Sequence, residues 1–376
     1  MKLIILKEKL KEGLKTVEKI SQKSLKLPIL QNILLRVEKS ILKLSTTNLE
    51  SSINWQSLAQ TKEDGAVCVP IKILSNFVNS LPDKAITIET DSKNNLKIDC
   101  GNYSTKIKGL NSEDFPIIPQ VENGEEVKVN SVKFCEAINQ IINIPSSSST
   151  KPEITGLFMS FQEESIKIVA TDSFRLAEKK ISLKTELSKE YSLILPQSAA
   201  KELVGILADK KGDLKIRFSP NQILFEHVSD ETSKSQVKFI SRLIDGKYPN
   251  YQEIIPKKYK TTVEVDKAEF LNQIKSASLF SGKINEVKIK INNEDKEVKI
   301  FSQHPDLGEY EGSLKGVVDG KNLSIAFNHR FLIDGISGVK SNTIIFNLTD
   351  RDGPAALGSI EPKEQYLYII MPIKAN

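Results

Sequence analysis

At 376 residues the chain is longer than one typical domain and suits two or three. Apolar residues make up 39% and charged residues 27%, which fits folded domains and excludes wholesale disorder, and no apolar run approaches the roughly 20 residues that span a bilayer. The formal charge of +5, from 53 Lys and Arg against 48 Asp and Glu, leans toward polyanions without a basic tail, so nucleic-acid contact would be diffuse, lysine-based and blind to sequence. The N-terminal MKLIILKEKL is too short in apolar residues for a signal-peptide core, which takes about 7–15, and a cytosolic protein is expected. Cys68, Cys100 and Cys135 are odd in number and never form CxxC, so they read as small buried apolar residues and imply no disulfide framework or zinc site.

In chain order, the same elements appear three times. Residues 3–17, 127–141 and 263–277 each begin as a short alternating strand and become a helical pattern. Their apolar positions superpose without a gap: Ile5, Leu10, Leu14, Val17; Val129, Phe134, Ile138, Ile141; Val265, Phe270, Ile274, Ala277. Next come LKL (42–44), IKI (166–168) and VKI (298–300), half-buried strands with an outward lysine. Then 69–81, 195–207 and 327–339 read as strand ends entering amphipathic helices, the first two with a Pro at the start, which suits a first helical turn. The offsets are 124, 124 and 126 residues from first copy to second, then 136, 132 and 132 to the third. Two copies close alike, at Phe115-Pro116 and Tyr248-Pro249. Three homologous domains of about 125 residues are therefore expected, over 1–124, 125–258 and 259–376. The class is α+β, each domain a mostly antiparallel sheet with one face covered by a helix pair.

The usual signs of chemistry are missing. His227, His304 and His329 sit in different local contexts, and no HExxH, GxSxG, Walker A or GxGxxG occurs. The carboxylates are scattered through lysine-rich surface, as solvated faces usually are. One stretch does resemble part of an active site: Thr171-Asp172, then Phe174-Arg175. Its counterparts in the other repeats are Thr47-Asn48 and Gln303-His304, so the position is a strand end that takes various polar residues. The plain reading is an Asx-type turn with Asp172 accepting backbone N–H bonds. The functional reading gives Phe174 and Arg175 a place on a binding surface, and an enzymatic one would make Asp172 and Arg175 a hydrolytic pair.

VATDSFRLA (169–177) closely resembles the VATDGHRLA-type signature of the bacterial DNA polymerase III β subunits, the sliding clamps. LPILQNILL (27–35), FISRLIDGKYPNYQEIIP (239–256), FNHRFLIDG (327–335) and YIIMPIK (368–374) resemble further motifs of that family, in the same order along the whole chain. The resemblance implies a ring: two three-domain subunits joined head to tail, helices inside and sheets outside, around duplex DNA. It implies no catalysis and no cofactor, with the homodimer tethering the DNA polymerase III alpha subunit, the clamp loader, and other motif-bearing proteins such as repair polymerases, ligase and mismatch-repair proteins. It implies no membrane partner.

Carried over position by position, the family's partner-peptide pocket between the second and third domains comprises Ile154, Thr171, Ser173, Phe174, Arg175, Leu176, Pro249, Ile254, Pro354, Ile369, Met371, Pro372, Ile373 and Lys374. Apolar walls with a polar rim suit short peptide motifs, and Met371 adapts to varied side chains. The DNA-facing candidates are Lys23, Lys26, Lys72, Lys151 and Lys201. The subunit-interface candidates are Ile107, Leu279 and Phe280, the last equally readable as internal core. The chain departs from the family pattern in three ways. Gly-His is replaced by Ser173-Phe174, a terminal Arg by Lys374, with Ala375-Asn376 after it, and the overall charge is basic where family clamps are commonly acidic. A monomeric adaptor of the same fold is the remaining alternative, with a native mass of one chain rather than two.

Overall fold

The structure is a computed structural model and describes all residues except 21–26, 120, 122–124, 149, 230–234 and 375–376. The first repeat runs β1 (Lys2–Leu6), α1 (Lys7–Val17), β2 (Asn32–Glu38), β3 (Ile41–Thr47), β4 (Ser51–Leu58), β5 (Gln60–Glu63), β6 (Gly65–Pro70), α2 (Ile71–Ser80), β7 (Ala85–Thr90), β8 (Asn95–Cys100) and β9 (Tyr103–Lys108). The second runs β10 (Glu126–Asn130), α3 (Ser131–Ile141), β11 (Gly156–Gln162), β12 (Ser165–Thr171), β13 (Arg175–Ser182), β14 (Tyr191–Pro196), α4 (Gln197–Leu207), β15 (Gly212–Phe218), β16 (Gln222–Ser229) and β17 (Ser235–Arg242). The third runs β18 (Thr261–Asp266), α5 (Lys267–Ser278), β19 (Glu286–Asn292), β20 (Glu297–His304), β21 (Gly308–Lys315), β22 (Val317–Gly320), β23 (Leu323–Asn328), α6 (His329–Gly338), β24 (Thr343–Leu348), β25 (Ala355–Ser359) and β26 (Tyr366–Ile370).

All three repeats thus have the expected strand-to-helix units, and the aligned apolar positions of α1, α3 and α5 are buried. The second helix of each repeat is also where its pattern places it. Two details differ. Val204 is only half-buried, and the neighbouring Leu203 fills the core in its place. Pro70 and Pro196 are the last residues of β6 and β14, one step before the helix rather than in its first turn. There the missing N–H is harmless, because a strand is ending and no helical bond has begun.

By packing, the chain forms two compact units, Met1–Cys135 with Ser198–Leu243, and Glu136–Gln197 with Ile244–Asn376. The division falls inside the middle repeat because that repeat shares a sheet with each neighbour. In the first unit an eight-stranded sheet runs β10-β15-β16-β17-β4-β3-β2-β6, beside a five-stranded sheet β5-β1-β7-β8-β9. In the second, a nine-stranded sheet runs β14-β11-β12-β13-β26-β25-β24-β18-β22, beside a four-stranded sheet β21-β20-β19-β23. All ladders are antiparallel, and in each the alternation buries one face under helices.

The two joins between repeats obey one rule. β17, the third strand after the middle repeat's second helix, pairs with β4, the third strand after the first repeat's first helix, with Ile240 opposite Ser52. β26 and β13 hold the same places in the third and middle repeats, and pair with Ile369 opposite Leu176. Close approach of helix to sheet needs glycine at one position of α1: a Cβ on Gly13 would lie 2.6 Å from the Trp55 ring, the largest fully buried side chain.

Candidate functional site

The site grows from the hairpin between β12 and β13. Thr171 Oγ1 donates to the Arg175 carbonyl at 2.7 Å, and Asp172 Oδ1 accepts the Phe174 and Arg175 amides at 3.0 Å each. Ser173, at the tip, has φ of 79°. The first repeat has the same turn: Thr47 Oγ1 donates to the Ser51 carbonyl, Asn48 Oδ1 accepts the Glu50 and Ser51 amides, and Leu49 has φ of 76°. In the third repeat His304 Nδ1 accepts the Asp306 amide. The Asx-type reading therefore describes the local geometry, and the turn itself is a fold device shared by the first and middle repeats.

Alternation along β13 sends Arg175 and Leu176 to opposite faces of the sheet. Arg175 faces the helices. Its Nε donates to Asp172 Oδ2 at 2.9 Å, Nη1 to Asp334 of α6 and Nη2 to the Asn143 carbonyl at 3.3 Å, with Cζ 4.4 Å from the Phe331 ring centroid. Burial acts to lower its pKa, but Tyr368, Asp334 and Asp172 together hold the guanidinium charged. This cation is engaged on several sides inside the unit, by Asp172, Asp334, the Asn143 carbonyl and the Phe331 ring, and so holds the hairpin in position.

Leu176 faces outward, and there an apolar cluster forms. Ile154, Val169, Leu176, Ile194, Tyr248, Tyr251, Ala356 and Ile369 pack together, with Phe158, Ile244, Ile255, Tyr259 and Leu367 half-buried around them. The segment after β17 lies over this face: Tyr248 stacks on Phe158, ring centroids 5.0 Å apart, and Tyr251 donates its hydroxyl to Glu178 at 2.6 Å. Burial pushes both tyrosine pKa values up, so both stay protonated.

Of the fourteen pocket candidates, Ile154, Leu176 and Ile369 form part of that buried cluster. Thr171 lies opposite Leu176 in the hairpin, and Ser173 is exposed at its tip. Phe174, 63% exposed, and Met371, 38% exposed, are linked by the bond from the Met371 amide to the Phe174 carbonyl at 2.9 Å. Pro354 enters β25, and its carbonyl accepts the Thr349 hydroxyl. Pro372 and Ile373 are half-buried beyond β26, the Ile373 amide donating to the Ala326 carbonyl, and Lys374 is exposed. Pro249 and Ile254 are exposed on the crossing segment, where Tyr248, Tyr251 and Ile255 point inward in their place.

Sequence reasoning missed Val169, Ile194, Ala356 and the two tyrosines. A signal was present in β12, where Val169 follows Lys167 on the outward side: an apolar residue at an outward position marks a covered patch. Among the other candidates, Lys72 on α2, Lys201 on α4 and Lys151 are exposed, while Lys23 and Lys26 lie outside the described residues. Ile107 is buried within its own unit, Leu279 is 70% exposed, and Phe280 stacks on Tyr310 with ring centroids 6.4 Å apart. Ile73, Tyr103, Ile284 and Leu307 are further exposed apolar residues that were not singled out.

Comparison with known proteins matches the domain models of the DNA polymerase III beta subunit: the N-terminal domain at residues 1–119, the central domain at 128–250 and the C-terminal domain at 252–374. A "Beta sliding clamp" of Staphylococcus aureus is 27% identical over 329 residues, covering 87% of this chain and 84% of the relative. One from Synechococcus elongatus is 26% identical over 382 residues, covering 100% of this chain and 99% of the relative. The crystal structure of the DNA polymerase sliding clamp from Bacillus subtilis superposes with a TM-score of 0.93 at 25% identity, covering 100% of both chains. A Pseudomonas aeruginosa clamp, at 23% identity and a TM-score of 0.93, covers both chains fully and shares the fold. With three successive domain models laid end to end along it, the chain belongs to the DNA polymerase III beta subunit family, the bacterial sliding clamps.

Proposed function

We propose that the chain closes as a head-to-tail homodimer around duplex DNA, in three clamp domains per subunit over 1–124, 125–258 and 259–376, and tethers polymerase and other DNA-processing proteins through the outward face around the buried Leu176 and Ile369, where Phe174, Ile254 and Met371 are the exposed apolar side chains. As a family member it is a processivity factor and not a catalyst. Tethering turns repeated encounters of polymerase and template into an intramolecular event at high effective concentration. Sliding needs weak phosphate contacts without base readout, and exposed lysines such as Lys72, Lys151 and Lys201 suit that role.

One observation carries the dimer. The rule that joins β17 to β4 and β26 to β13 leaves two strands of the same kinds over: β9 and β21, each paired on one side only among the described residues. Pairing β9 of one subunit with β21 of another would join a five-stranded and a four-stranded sheet into one of nine strands. The register follows from the ladders. Lys106 lies opposite Lys97 as Ile240 lies opposite Leu224 and Ile369 opposite Ala356. Glu309 lies four residues before Ser313, the partner of Lys299, as Ser52 and Leu176 do before the partners of Lys43 and Lys167. Since Ile240 faces Ser52 and Ile369 faces Leu176, Lys106 would face Glu309, an opposite-charge pair on a cross-strand site. Exposed Leu279, Ile284 and Tyr103 would supply apolar contact around it.

Sedimentation equilibrium tests this. The dimer requires two chains of 42.0 kDa, about 84 kDa together, at micromolar concentration. Lys106→Glu should shift the mass toward one chain, and adding Glu309→Lys should restore the dimer. A wild-type mass of one chain would favour the monomeric adaptor.

A further inference from the structure

The eight-stranded sheet carries a groove where the nine-stranded sheet carries its docking face. Residues 112–119 and Val121 cross its outer side, leaving a cavity of about 880 Å3 above β2, β3, β4, β16 and β17. The two faces share one plan. Phe115 packs on Leu34 and Cys68, and Val121 on Leu224 and Ile240; these two pairs lie opposite each other in their ladders as Phe158 and Ile194, under Tyr248, and Ala356 and Ile369 do on the other face. What lies between differs. On the nine-stranded sheet Val169, Leu176 and Leu367 make the floor continuous. At the matching ladder positions the eight-stranded sheet has Ser45, Ser52 and Lys238, so its apolar surface is broken into two clusters with a polar strip between them.

The groove as a whole is lined by more basic than acidic side chains. Arg36, Lys43, Arg217 and Lys238 line the groove against Glu38 and Glu113. Arg217 is held by Glu126 at 2.6 Å, but Glu38 lies 3.6 Å from Arg36 and 3.9 Å from Lys43, and Lys238 reaches Glu226 only at 3.4 Å. Lys43 and Lys238 each keep 43% of their side-chain surface in solvent. In the linker above them Ile117 is 94% exposed.

We propose that this groove is a second docking site, and that its occupant is an extended acidic peptide segment of a partner protein. Apolar side chains of the segment sit on the two clusters, and carboxylates between them face Lys43 and Lys238. Apolar anchors flanking a charged middle select a peptide over a nucleic-acid strand, whose charge is uniform. The site is chemically distinct from the docking face proposed above, and does not depend on it.

Panning a phage-displayed library of random dodecapeptides on the full chain tests this. Enriched sequences should be acidic with apolar residues on both sides of the acids. Titrated as a labelled synthetic peptide, the leading sequence should bind at least tenfold more weakly to Lys43→Gln/Lys238→Gln, with binding by Met371→Ala/Ile254→Ala unchanged. Ile117→Asp, at a residue too exposed to disturb folding, should also weaken it. The proposal is overturned if no acidic class is enriched, if the peptide binds wild type and the Lys43→Gln/Lys238→Gln and Ile117→Asp variants equally, or if the Met371→Ala/Ile254→Ala variant is the one that loses it.

Discussion

Arg175 and Asp334 form an ion pair, Nη1 to Oδ2 at 2.5 Å, that ties the first residue of β13 to the middle of α6. The arginine is 9% exposed and Asp334 38% exposed, so the two ends of the pair are unequal. Removing Asp334 leaves Arg175 with Asp172 and the Asn143 carbonyl. Removing Arg175 leaves two carboxylates and a carbonyl without their cation. Arg175→Ala is therefore expected to cost about 3 kcal/mol and Asp334→Asn about 1 kcal/mol in urea unfolding. Arg175→Lys should recover little, because a lysine cannot serve three separated acceptors. Equal costs for the two substitutions would contradict this reading.

Ser173 stands in the left-handed region at φ 79°, where a side chain is strained. Ser173→Gly should raise stability by about 0.5–1 kcal/mol, read from the denaturant midpoint at constant slope. A loss of stability would mean that the Ser173 side chain does more for the turn than the described contacts account for.

A fluorescent peptide of the glutamine-leucine-x-leucine-phenylalanine type should bind saturably to the wild-type chain. Met371→Ala with Ile254→Ala should weaken it at least tenfold, about 1.4 kcal/mol. Both side chains are exposed, 38% and 48%, so the melting temperature should barely move. Unchanged affinity in the double variant would remove this face as the docking site.

The repeats were legible because a helix stripe and a strand alternation are local signals. So was the turn at Asp172, since an Asx side chain reaches only its own next residues. The face of Arg175 was less legible: adjacent to Phe174 in sequence, it points the other way once β13 is extended. The pairing of β17 with β4 and of β26 with β13 left no local trace, because each joins strands far apart in the chain through main-chain bonds. The match of Lys106 with Glu309 emerges only after those pairings supply a register. Tyr248 is legible as a repeated aromatic before Pro, but its place over Phe158 depends on how the linker crosses the sheet.

His329, the first residue of α6, is 9% exposed and its Nδ1 has no partner among the described residues. Burial first, then Arg330, holds its pKa below the usual 6.5. The unfolded chain therefore binds the proton more readily, so this residue removes stability as pH falls through about 6.5 toward the folded value and changes nothing above it. Urea unfolding between pH 8 and pH 5 should show a smaller loss in His329→Gln than in wild type. Identical pH profiles would contradict the assignment.

The most direct test of ring closure is a disulfide across the proposed joint. Lys106→Cys and Glu309→Cys in one chain should oxidise to a closed covalent dimer, a single band of two chains without reductant. Lys106→Cys with Tyr310→Cys, whose side chains would lie on opposite faces of the sheet, should cross-link poorly. A product confined to single chains, or an open ladder of ever longer oligomers, would contradict a closed two-subunit ring.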